Sequence, residues 1–392
     1  MWKRNQQERL RTSMPESISA PVTRAPRDPR LDVFRGLALV MIYINHVPGT
    51  IYEFMTSRNF GQSDAAEAFV MMSGIAAGLA YSGSFRNPPY WPGTARVWHR
   101  SWTLYLMHIF MTMWSLAIAA LAARWLGGTH RLFVNEMAVL FDAPLGFLVG
   151  VPLLTHQLGY VNILPMYAFL LMITPALLWV ALRRPWWLAL ASLTFWLVVG
   201  LYEWDLPNYP NAGGWFFNPL AWQVLFIAGL LTGVFARQGK RFIPVYWWLQ
   251  LITAAILVAG FVWAKIPAIG EAWTQALWQA NQNGVHRFWT YADKTYVTWP
   301  RLIHILALAY LLSTLPIVRR AAGSKLAAPL ALLGRQALPV FVMGSLLALA
   351  AQALKESLTQ NLAIDTALIF GGILLQLGFA YAKDRLSLKS RG

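Results

Sequence analysis

Residues 31–49 read Leu31-Asp32-Val33-Phe34-Arg35-Gly36-Leu37-Ala38-Leu39-Val40-Met41-Ile42-Tyr43-Ile44-Asn45-His46-Val47-Pro48-Gly49. A bilayer-crossing helix needs roughly 20 mostly apolar residues, and this stretch opens such a segment. Arg35 and His46 are eleven residues apart. At about 100° per residue they fall within roughly 20° of one face, about 16 Å apart along the axis. Asp32 lies one turn before Arg35 and can pair with it. Pro48 cannot donate to the carbonyl of Ile44, so the helix is kinked or broken beside His46. A titratable ring at that depth is costly without partners or water. A broken helix is tolerated there only inside protein or along a wet cavity. A hydrogen-bonded packing role with Asn45 is the bland alternative.

The rest of the chain follows the same pattern. Of 392 residues, 57% are hydrophobic and 12% charged, about half the charged share of a soluble domain. Ten segments qualify as spans, near 33–54, 65–82, 101–124, 161–182, 186–202, 218–236, 244–264, 299–317, 329–352 and 363–382. The expected fold class is an all-α, polytopic transmembrane helical protein. With the N-terminus placed in the cytoplasm, 24 of the 32 Lys and Arg residues fall on the cytoplasmic side, which puts both termini there. The net charge of +16 is then a topology signal, and no nucleic-acid partner is expected. Residues 1–31 read as a disordered basic cytoplasmic tail without the apolar run of a signal peptide. Residues 32–382 form the transmembrane domain and 383–392 a second cytoplasmic tail. The apolar stretch Ala138–Leu154, broken by Pro144, Gly146 and Gly150, reads as a re-entrant or surface-lying helix in preference to an extra span, which would spoil the charge pattern downstream. Cysteine is absent, which excludes disulfides and an acyl-cysteine intermediate. The seven histidines show no i, i+4 pair, so no metal site is expected.

Asp32-x-x-Arg35-Gly36-x-Ala38, reaching His46, resembles the signature of the type 3 membrane acyltransferases. Asp64-Ala65-Ala66-Glu67-Ala68-Phe69-Val70-Met71-Met72-Ser73-Gly74 resembles one branch of them, the OpgC family. Leu333-Gly334-Arg335-Gln336-Ala337-Leu338-Pro339-Val340-Phe341 resembles the same branch more weakly. The resemblance covers roughly 30–382. It implies a multi-pass protein of the bacterial inner membrane that succinylates osmoregulated periplasmic glucans. The donor would be cytoplasmic acyl-CoA, of which succinyl-CoA is the expected form, and the acceptor a glucan outside.

In that frame His46 is the expected catalytic base or acyl carrier. Asp64 or Glu67 would orient it. The bland reading makes Asp64 an N-cap and Glu67 its capping-box partner. Arg35, Arg96, Arg100 and Arg335, with Arg86 a further candidate, are expected to clamp coenzyme A phosphates, because arginine makes forked, charge-assisted bonds. Tyr105 would line the donor path, and so could His108. Ser73 could contact substrate, though a small residue beside Gly74 also suits packing. Arg301 and His304 are candidates to hold a succinyl carboxylate. Trp299 belongs to an aromatic-rich outer segment, 271–299, expected to serve as a glycan platform. Two rivals stand beside this reading. One is acylation of a lipid-linked polysaccharide. The other is a glycan transporter, which would show two related halves; the sequence has no evident internal repeat.

Overall fold

The computed structural model describes residues 28–358 and 361–389. The expected tail at 1–31 lies almost wholly outside them. The chain is all-α, with an isolated bridge between Pro207 and Gly214 as the sole β pairing among the described residues. The long helices are α1 (Pro29–Asn45), α2 (Ala65–Tyr81), α3 (Trp91–Trp125), α4 (Ile163–Arg183), α5 (Pro185–Tyr202) and α6 (Pro219–Arg237). They continue with α7 (Trp247–Lys265), α8 (Pro267–Gln282), α9 (Trp299–Thr314), α10 (Ala328–Arg335), α11 (Ala337–Ser357) and α12 (Leu362–Lys389). Among the described residues, eight helices are long and apolar enough to cross a membrane, or nine if α9 and Pro316–Ala322 form one bent span.

All ten expected spans contain helix, but two are not simple crossings. The first does not run to residue 54. It stops at Asn45 because Pro48 offers no N–H to Ile44, whose carbonyl is taken instead by Val47 N at 3.0 Å. The eighth turns by 80° between Thr314 and Pro316. Helix α3 begins at Trp91, ten residues before the expected start, so Arg96 and Arg100 stand within it. Helix α12 continues through residue 383 to Lys389, into the expected tail. The stretch 138–154 is no span; it folds into two short helices, Val139–Asp142 and Pro144–Gly150.

Close backbone approach sets the packing. A Cβ on Gly36 would lie 1.9 Å from Leu330 O, and one on Gly334 1.8 Å from Asp32 O. Helices α1 and α10 thus cross with main chains in contact, which only glycine allows. Gly74 and Gly229 do the same for α2 and α6, with a Cβ 2.0 Å from Phe226 O and from Met71 O respectively. The glycine face of α2 thus packs on α6. Helix α7 is peripheral, burying only Thr253 and Gly260, and α8 buries nothing.

Candidate functional site

Helix α1 ends at a cavity of about 830 Å³ lined by Ile42, Asn45 and His46. Asp64, Ala65 and Ala66 enter it from the start of α2, Asn162 and Ile163 from the start of α4, and Phe341 from α11. Arg58 enters from the connection between α1 and α2, and most of the remaining lining comes from three connections expected outside. These bring Asn135, Glu136, Gln157 and Tyr160 from one, Asp205, Asn208, Trp215, Phe216 and Phe217 from another, and Arg287, Asp293, Lys294 and Tyr296 from a third. Aromatic faces, carboxamides and charges of both signs therefore surround one imidazole.

His46 is half-buried, and its Nδ1 is buried with no hydrogen-bond partner. Its ring lies 4.5 Å from the Tyr160 ring, inclined at 53°. The backbone around it is held from α11. Gln352 Nε2 donates to His46 O, and Gln352 Oε1 accepts from Arg131 Nη1 at 2.6 Å. Lys355 Nζ donates to Gly49 O at 2.7 Å and Pro48 O at 3.2 Å and pairs with Asp365 at 3.1 Å. Asn45 Oδ1 accepts from Thr56 Oγ1 at 2.8 Å. A proline-terminated helix end needs such donors, because its last carbonyls have no intrahelical partner.

Asp64 and Glu67 do form the capping box. Asp64 Oδ1 accepts from Ala66 N at 2.8 Å, and Glu67 Oε2 accepts from Asp64 N at 3.0 Å. Glu67 is fully buried, and Arg301 Nε donates to its Oε1 at 2.6 Å. Asp64 Oδ2 accepts from Lys294 Nζ at 2.6 Å and lies 3.4 Å from Arg301 Nη2. Neither carboxylate hydrogen-bonds His46; Asp64 shares its cavity, and Glu67 stands behind the cavity wall. Arg301 is thereby committed to two carboxylates of the protein itself, not left for an acyl carboxylate. His304 is buried and its Nδ1 shares a hydrogen bond with Ser63 Oγ at 2.7 Å, outside the cavity.

The other expected residues scatter. Ser73 Oγ donates to Phe69 O at 2.8 Å inside α2, a packing role. Trp299 Nε1 donates to Trp289 O at 2.9 Å and does not reach the cavity. Of the expected 271–299 platform, Arg287 and residues 293–296 line the cavity and α8 does not. Arg35 is partly buried, 3.7 Å from Asp32 and within reach of Gly334 O at 3.3 Å, so it ties α1 to α10. Arg96 binds Ser84 Oγ and Pro92 O. Arg335 is 3.8 Å from Asp384. Arg100 is half-buried on α3. Tyr105 donates to Pro152 O at 3.1 Å, in the connection expected outside. His108 is fully buried and lines no part of the cavity.

Gln352, Lys355 and Tyr160 were not singled out from sequence. Lys355 could have been, as an ionisable residue at the end of an apolar span. Nothing local marks Tyr160 except its left-handed backbone, φ 68°, which a sequence does not display. Asn135 and Glu136 are also left-handed, at φ 57° and 67°. Three such residues on one cavity are a concentration of local strain of the kind that gathers at functional sites. Asp205 sits in the same wall outside the spans; burial pushes its carboxyl up to about 6. Among the described residues no group of three or more His, Asp or Glu side chains could hold a metal ion.

A family model described as OpgC protein matches residues 27–387. No curated protein and no solved structure matches the chain.

Proposed function

The chain belongs to the OpgC family, and from that premise we propose that it transfers an acyl group, succinyl by family resemblance, from cytoplasmic acyl-CoA to a glucan hydroxyl in the periplasm. The observation that carries this reading is the position of His46 on a cavity lined from the outer connections. A sugar can enter there, lay its apolar face on Trp215 or Tyr296, and meet carboxamides with its hydroxyls.

The buried Nδ1 leaves the Nε2 edge of His46 for the acceptor. That nitrogen takes the proton of the sugar hydroxyl as its oxygen attacks the thioester carbonyl. The carbon–sulfur bond breaks, the thiolate of coenzyme A leaves, and the proton passes to it from the imidazolium. Gln352 and Lys355 act as positioning residues, because they hold the main chain that carries the ring. The donor's thioester reaches the ring from the Arg35 side of α1.

The test is a strain lacking this gene, complemented with the wild-type chain or with His46→Ala, followed by mass spectrometry of its periplasmic glucans. The wild-type chain should restore the acyl mass increment. The variant should insert at normal level and restore none. Retained acylation by the variant would remove His46 from the chemistry. An unchanged glucan with an altered lipid-linked polysaccharide would move the reading to the other acceptor.

A further inference from the structure

Among the described residues, Arg58, Arg287 and Lys294 are the Lys and Arg side chains in the lining of the His46 cavity. Two of them are open to solvent and tied to acids of their own. Arg58 pairs with Glu53 and its side chain is 42% exposed. Arg287 is 53% exposed and lies 3.4 Å from Glu203 and 3.7 Å from Asp293. Lys294 is the enclosed one, 26% exposed, with Nζ 2.6 Å from Asp64 Oδ2. The charges that bear on the His46 ring are those of Lys294 and Asp64.

A surface lysine swings freely on its four-carbon stem. Lys294 is held instead. Trp222, fully buried on α6, donates from Nε1 to Lys294 O at 3.0 Å. Trp196 of α5 donates from Nε1 to Tyr296 O at 3.1 Å and to Val297 O at 3.0 Å. Thr298 Oγ1 closes the same turn on Tyr291 O at 2.7 Å. Two indoles from the bundle thus fix the backbone that carries the ammonium. The rings of Phe216 and Phe217 stand 5.9 and 5.5 Å from Nζ, within the range at which an aromatic face attracts a cation. An ammonium has three donors, and Asp64 takes one of them. Asp64 has other partners as well, Ala66 N and Arg301.

We propose that Lys294 is a catalytic residue that donates a hydrogen bond to the oxygen of the acyl carbonyl; the assignment rests on the function proposed above. When the sugar oxygen adds to the thioester carbon, the carbonyl π pair moves onto that oxygen while His46 holds the hydroxyl proton. The ammonium stays protonated throughout. It binds the full negative charge more strongly than the neutral carbonyl, and that difference lowers the barrier. The pair then returns, the carbon–sulfur bond breaks and the thiolate leaves. Asp64, which does not touch the imidazole, is the positioning residue for Lys294.

The full chain in nanodiscs is given unacylated glucan with succinyl-CoA or butyryl-CoA, and glucan-dependent thiol release is followed; the chain has no cysteine to interfere. Lys294→Gln should lower kcat for both donors by about a hundredfold to a thousandfold, with the KM of the glucan nearly unchanged. Adding Asp64→Asn removes the stranded charge, so the unfolding temperature should recover while kcat stays low. Recovery of kcat in the double variant would reduce Lys294 to a counter-ion of Asp64 and overturn the role. A loss confined to succinyl-CoA would overturn it too, because butyryl-CoA shares the reacting carbonyl and lacks the terminal carboxylate. If the wild-type chain accepts succinyl-CoA alone, the double variant decides. With an active wild type and an inactive His46→Ala, full turnover by Lys294→Gln overturns this inference by itself. A wild-type chain that transfers nothing overturns the proposed function as well.

Discussion

The imidazole of His46 and the phenol ring of Tyr160 are 4.5 Å apart and inclined at 53°, and Tyr160 is held in the left-handed region at φ 68°. One residue thus spends local strain to place a ring against another. A left-handed non-glycine residue costs roughly 1–2 kcal/mol. Tyr160→Gly should therefore relieve strain while removing the packing surface. Turnover is expected to fall by about tenfold to a hundredfold, with no loss in thermal stability, whereas Tyr160→Phe should stay near wild type. A glycine variant with full turnover would show that the contact is incidental.

Lys355 and Asp365 form a pair in which both side chains are largely buried, and the same ammonium serves two carbonyls after His46. Lys355→Met leaves Asp365 buried without its cation, which should cost about 3–5 kcal/mol. Adding Asp365→Leu removes the stranded charge and should recover much of the stability. Activity should stay low in the double variant, because Pro48 O and Gly49 O still lack their donor. Thermal unfolding in detergent, set beside glucan acylation, checks both halves; equal recovery of stability and activity would deny Lys355 its positioning role.

These two contacts also mark how far the sequence could be read. The apolar runs, the break at Pro48 and the Asp64–Glu67 cap are local, so periodicity and spacing reveal them. The partners of His46 come from α11, some 300 residues later, and no spacing rule connects Gln352 to a carbonyl that far away. Arg301 shows the same limit. On its own it looks like a cation available for substrate, and only the assembled bundle supplies the buried Glu67 that consumes it. The arginines placed at a donor site from their nearness to spans turned out to be engaged with helix carbonyls, a hydroxyl or Asp384, with Arg86 and Arg100 the exceptions.

Gly36 follows Arg35 because Leu330 O occupies the space a side chain would need, 1.9 Å from a Cβ. Gly36→Ala must push α1 away from α10 and should destabilise by about 1–3 kcal/mol or more. Because Arg35 bonds Gly334 O across the same contact, acylation should fall as well. Near-normal unfolding temperature in this variant would mean that the crossing is looser than the main-chain contact indicates.

Asp205 gives a pH signature. Burial raises its carboxyl from 3.8 to about 6. A carboxyl raised on folding binds its proton more tightly in the folded state, so its contribution is fully present below about pH 4 and is lost as pH rises through about 6. Asp205→Asn stays neutral and lacks this loss. The difference in unfolding temperature, variant minus wild type, should therefore grow between pH 4 and pH 7. A difference that is flat over that range would place the wall carboxyl in ordinary solvent.

Helices α2 and α4 have one further consequence, which follows from where they begin. Each presents its N-terminus, the partly positive end of its dipole, to the space around His46, and that of α2 already carries the Asp64–Glu67 cap. The start of α4, which has no side-chain cap, biases the local field toward negative charge before any substrate is present. The oxygen that becomes anionic as a carbonyl is attacked is the group such a field favours, and it does so without any side chain moving to meet it.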